Sequence, residues 1–178
     1  MNQLTSGEND FENVSEPTTK TLKTKLEELD ASLYQLDASL GLDCEETCLD
    51  ISGYLTMSRG EIESLTPEVA SRIAHEIHLS IFHLQKTINR NTARLKWCER
   101  TLNVVFGELA RGYRDVFGWE EKKVTIIADN VYAKKLSDRI IIYQSRVDSL
   151  YNLTGSLKGI ADSCKNIQYL KTSKDRNY

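Results

Sequence analysis

The sequence predicts an all-α fold: a long antiparallel helical hairpin with an additional N-terminal amphipathic helix, assembling into a homo-oligomer. Three observations carry this expectation. The 178 residues include only two prolines and nine glycines against 28% charged residues, a balance that suits helices better than short strands and turns. Leucines recur at alternating spacings of four and three between Leu22 and Leu40. A second apolar period starts at Pro67 and meets no further proline before Phe117, which at helical rise gives a rod of ~75 Å.

Residues 1–19 hold few apolar groups and many Ser, Thr, Asn and acidic side chains, so a disordered acidic tail is expected there. Leu22, Leu26, Leu29, Leu33, Leu36 and Leu40 then form a heptad seam, and Gly41 is a natural stop. So short a seam does not stand alone in water; it packs on a neighbour, from its own chain or another. Between Gly41 and Leu65 the signals are brief. Asp43 and Ser58 are candidate N-caps, the latter with Glu61 placed for a capping box, while Gly53 and Gly60 interrupt. One or two short helices follow from this.

Thr66-Pro67-Glu68 is a strong helix start: a capping hydroxyl, a proline in the first turn, and an acid near the positive helix end. Asn89–Thr92 and Gly107 are the expected bends of the long helix, and Gly118 its expected end. Trp119–Asp129 reads as a connector whose Val124–Ile127 run is equally able to form a short strand. Asp129 is then the expected cap of a second long helix reaching about Leu170, with Leu136, Tyr143, Val147, Leu150, Leu157, Ala161 and Cys164 on one side. Two such helices bury only their facing stripes, leaving Ile140, Ile142, Tyr151 and Leu153 partly uncovered. The leucine seam covers part of that surface and association between chains the rest. The expected organisation is an acidic tail at 1–19, an acidic helical region at 20–66 and a hairpin core at 67–178.

The net charge of −3 hides an asymmetry. Residues 1–66 hold fourteen acidic side chains against four basic ones, residues 67–118 five against eight, and residues 119–178 seven against eleven. An acidic first third on a basic remainder suits a partner-binding arm or a segment that competes with a polyanion; a merely solvated acidic helix is the plainer reading. No apolar run approaches the roughly 20 residues a bilayer requires. The polar N-terminus resembles neither a signal nor a transit peptide, so a cytoplasmic location is expected.

Catalytic signatures are missing from the sequence. There is no Gly-rich phosphate cradle and no nucleophile motif. His75, His78 and His83, with Glu76 nearby, lack the spacing of a metal-binding helix. Cys44, Cys48, Cys98 and Cys164 show no pairing pattern of a secreted scaffold and read as reduced, structural thiols. A non-enzymatic protein without cofactor or metal is expected.

One feature points to a ligand. At about 100° per residue, Ile73, Ile77, Ile81, Leu84, Ile88, Leu95, Leu102 and Phe106 gather on one side of the long helix. Lys86, Arg90, Arg94 and Arg100 gather opposite, with Trp97 among them, Lys96 nearby, and Phe82 toward the same side. Only Glu99 interrupts these cations between Lys86 and Glu108, so the acids of a salt-bridged solvated face are missing from the helix itself. An exposed ring flanked by cations suits a single-stranded nucleic acid, with bases stacking on the ring and phosphates held by the cations. A protein contact at Trp97 is the alternative. No Asn or Gln pattern for base reading stands out, so weak sequence selectivity and strong salt sensitivity are expected.

Ala93-Arg94-Leu95 followed by Trp97, on a long amphipathic helix, resembles the central basic motif of the UvsY family, recombination mediators of tailed bacteriophages. The second half is similar in order: Ala128-Asp129 opening a helix, Tyr143 within it, then Thr154-Gly155-Ser156-Leu157 and Ile160 before Ile167. The resemblance spans roughly residues 68–170. It departs at Thr92, where the family tends to carry lysine, and in the longer acidic region before the long helix. The resemblance implies a helical homo-oligomer that binds single-stranded DNA and helps load a RecA-like recombinase onto DNA coated by single-strand-binding protein, in the host cytoplasm. Arg94 is the basic residue that the motif carries over. The alternative from another class is a structural or assembly protein, such as a phage morphogenesis factor or a coiled-coil adaptor, that binds no DNA.

Overall fold

The structure, a computed structural model, describes residues 16–42, 51–112 and 118–175. Every regular element among them is helical, as the composition predicts. They are α1 (Glu16–Ser39), α2 (Ser52–Leu55), α3 (Arg59–Ser64), α4 (Pro67–Leu109), a 3-10 turn (Ala110–Gly112), α5 (Trp119–Asp129) and α6 (Val131–Asp175). Residues 1–15 of the tail expected at 1–19, the candidate cap Asp43, and Cys44 and Cys48 lie outside the described residues, while residues 16–19 belong to a helix.

α1 starts at Glu16, ahead of the expected boundary at Lys20, with Pro17 in its first turn where a missing N–H costs nothing. Its end is set by Gly41, at φ 63°. The Leu42 N–H donates to the Asp37 carbonyl at 2.9 Å and the Gly41 N–H to the Ala38 carbonyl at 3.2 Å, the two bonds of a Schellman cap. Ser58 and Glu61 form the expected capping box at α3. Thr66 accepts from the Val69 N–H at 3.4 Å to open α4.

Four expectations change. α4 is unbroken through Asn89–Thr92, because the buried Asn91 amide satisfies itself within the helix, donating to the Thr87 carbonyl at 2.8 Å. The α-helix closes at Leu109, just past Gly107, and tightens into the 3-10 turn instead of continuing to Phe117. The connector is helix α5 and not a strand: Glu120 and Glu121 occupy its first turn, and the Glu121 carboxylate accepts from the Gly118 N–H at 3.1 Å. Burial of Ile126 beside an exposed Val124 gives this segment one inward face, and that packing overrides its β-branched run. Asn130, one residue after Asp129, caps α6 by accepting from the Ala133 N–H at 2.9 Å.

α4 and α6, of 43 and 45 residues, share two buried apolar clusters. At one end Leu95, Cys98, Leu102 and Phe106 of α4 meet Tyr132, Ala133, Leu136 and Tyr143 of α6. Ile126 of α5 and Leu29 and Leu33 of α1 close the same cluster. At the other end Ala70, Ala74 and Ile77 meet Leu157, Ala161 and Cys164, covered by Ile62 of α3. The alanines let the backbones approach there, and Lys171 fastens the corner, its ammonium donating to the carbonyls of Glu63 at 2.9 Å and Leu65 at 2.6 Å. Ile140 and Leu153 pack against these clusters, whereas Ile142 and Tyr151 remain 43% and 53% exposed. Among the described residues no helix is long and apolar enough to cross a membrane.

Candidate nucleic-acid interface

α4 carries every residue of the expected stripe, and α1 decides which of them face solvent. The leucine seam buries Leu29 and Leu33 against α4 and α6, so α1 lies along the flank of α4 that carries Arg94 and Trp97. The expectation of a fully exposed tryptophan is therefore corrected: Trp97 is half-buried, packed against the cluster that α1 helps close. The expectation that Arg94 lacks a pairing acid is corrected too. That acid is Asp37 of α1.

Asp37 is 3% exposed. The Arg94 Nε donates to its Oδ1 and Oδ2 at 3.1 and 3.0 Å, and Nη2 donates to Oδ2 as well. The guanidinium also lies 5.9 Å from the ring centres of both Tyr34 and Tyr143, within cation–π range. Hydrogen bonding to Asp37 raises the Arg94 pKa further above its ordinary value, against the opposing effect of burial. A second inter-helix pair, Arg139 of α6 to Asp30 of α1 at 2.8 Å, fixes the same helix. Helical projection of α4 alone could not find Asp37, since its partner lies 57 positions away. A signal was present: Asp37 stands four places after Leu33, on the flank of the buried seam.

The other stripe residues divide. Lys86 is exposed, its ammonium 5.0 Å from the centre of the Phe82 ring, which is itself 59% exposed. Arg90 is partly buried and engaged with its surroundings. Lys96 and Arg100, before and after Trp97, are exposed and have no ion-pair partner among the described residues. The exposed cations thus follow the outer side of α4, while Arg94 is tied inward.

Comparison with protein-family models, curated proteins and solved structures finds no match.

The remaining chemistry-bearing groups do not converge. Among the described residues no three His, Cys, Asp or Glu side chains gather as a metal would require. Cys98 and Cys164 are buried and free. Burial pushes the Cys98 thiol up to about 11, only partly offset by the Arg139 and Arg94 charges. Such a thiol is a poor nucleophile near neutrality.

Proposed function

We propose that this chain is a UvsY-like recombination mediator: a non-enzymatic helical hairpin that assembles into a homo-oligomer and binds single-stranded DNA. In this role it helps load a RecA-like recombinase onto DNA coated by single-strand-binding protein. The observation that carries the reading is the set of exposed side chains Lys86, Lys96 and Arg100 on the helix that presents part of the Trp97 ring. Phosphates on the cations and a base against the ring make the combination that sequence-tolerant single-strand binding uses. Copies of the face brought together by oligomerisation multiply weak contacts into useful affinity.

The test is fluorescence anisotropy of a labelled single-stranded oligonucleotide, titrated at low and then moderate salt. Binding is expected to fade as salt rises. The Lys86→Ala/Lys96→Ala/Arg100→Ala variant is expected to weaken it and to reduce the slope of log affinity against log salt by about 2, from roughly 0.7 per phosphate contact. Arg94→Ala does not serve this purpose, because it strands the buried Asp37. A folded protein that binds no oligonucleotide at low salt would sink the reading.

A second reading is a structural or assembly protein without DNA binding. It is favoured by the apolar side chains left in solvent on α6, with Ile141 at 65% and Tyr151 at 53% exposed, which suit subunit contacts. Oligomerisation without any oligonucleotide affinity would select it.

A further inference from the structure

The half-buried Trp97 lines a recess of about 170 Å³ between α1 and α4, to which Tyr132 of α6 and Val104 and Val105 of α4 also contribute. An engineered apolar cavity of roughly 150 Å³ takes a benzene ring, so a single planar heterocycle is of suitable size.

The polar lining selects what kind of ring. Ser32 and Thr101 face the recess, but their hydroxyl protons are already committed, to the carbonyls of Glu28 at 2.9 Å and Trp97 at 2.8 Å. What remains on each is an acceptor oxygen. Glu28 and Glu108 add carboxylates, and Lys25 is the one cation in the lining. Acceptors predominate, and two carboxylates against one ammonium oppose a phosphate. A neutral base carrying an exocyclic amine satisfies both conditions, since that amine is a donor that thymine lacks. The phosphates would stay outside, where the exposed Arg100 stands beside Thr101 on α4.

We propose that this recess is a base-binding subsite that takes one unstacked, amine-bearing nucleobase, with Trp97 as its stacking wall and α1 as its second wall. The proposal rests on the single-strand reading above and names its base-recognition site. It gives the acidic helix a role in the site itself. The Asp37–Arg94 and Asp30–Arg139 pairs are then positioning contacts that hold the second wall in place.

The full chain is titrated with three short oligonucleotides of equal length and charge: oligo-dC, oligo-dT and an abasic deoxyribose-phosphate chain. Oligo-dC is expected to bind roughly tenfold more tightly than the abasic chain, within the range that base–aromatic stacking supplies, and more tightly than oligo-dT. Equal binding of oligo-dC and the abasic chain overturns the subsite and leaves the single-strand reading intact. Equal binding of oligo-dC and oligo-dT overturns the assignment of the acceptors. No binding of any of the three overturns the single-strand reading and the subsite with it. A Ser32→Phe variant, which fills the recess from a surface position, is expected to lower oligo-dC affinity to that of the abasic chain. An unchanged oligo-dC preference in that variant, shown by circular dichroism to be folded, also overturns the subsite.

Discussion

Asp37 and Arg94 answer each other across two helices, and the energetics of such a pair are asymmetric. Removing one partner leaves the other charge in a low-dielectric site, whereas replacing both with apolar groups of similar size is often neutral or better. Asp37→Ala is therefore expected to cost about 2–4 kcal/mol in a urea titration, discounted for the partial exposure of Arg94. The double replacement Asp37→Leu/Arg94→Met is expected to recover most of that loss. Additive losses in the double variant would show that the pair is not coupled. Cys98 supplies a pH signature at the same scale. Its folded pKa of about 11 lies above the unfolded value, which is about 8.5 for a free thiol. Stability from the buried neutral thiol is fully present below the unfolded pKa and is lost as pH rises through the folded one. Native Cys98 is expected to react with thiol reagents far more slowly than the unfolded chain, and stability to decline from about pH 8.5 upward, less so in Cys98→Val.

The helix ends show what was legible in the sequence and why. Ser58, Thr66-Pro67 and Gly41 are readable because a cap is a local arrangement among four or five consecutive residues: the first two open their helices and Gly41 closes α1, as the sequence predicts. Gly41 sits at φ 63°, so Gly41→Ala is expected to destabilise by about 1 kcal/mol through backbone strain, although nothing crowds its Cβ position. Thermal melts of the two proteins check this. α5 is not legible as a helix because Val124-Thr125-Ile126-Ile127 favours strands by composition, and the packing of Ile126 with α6 and α4 residues is what makes the helix the better state. The stripe was legible as a helical face and Arg94 as a part of it. The acid that neutralises Arg94 was not, since position 37 and position 94 become neighbours only when α1 docks. Periodicity locates Trp97 on its own helix and says nothing of what lies over it, so its position is legible and its burial is not.

At the level of the molecule, α4 and α6 form a rod on the order of 65 Å long that is covered differently at its two ends. α1 and α5 complete one apolar cluster, and α2 and α3 cover the other. Between them the buried apolar side chains thin to Ile88 and Val147. Covers of unlike composition on one shared pair of helices have a thermodynamic consequence. Each end is then expected to lose its cover without dismantling the far one, so that the chain melts as two units joined by a common spine. Hydrogen exchange is expected to give two plateaus of protection, one shared by Leu95–Phe106 and Tyr132–Tyr143, the other by Ala70–Ile77 and Leu157–Cys164. A calorimetric enthalpy larger than the van't Hoff value would report the same thing. Lys171 acquires a different meaning in this light. Its ammonium is the clasp of the second unit alone, so Lys171→Met is expected to lower one plateau and leave the other where it was. A chain built this way can surrender one end to a partner while the other keeps its shape.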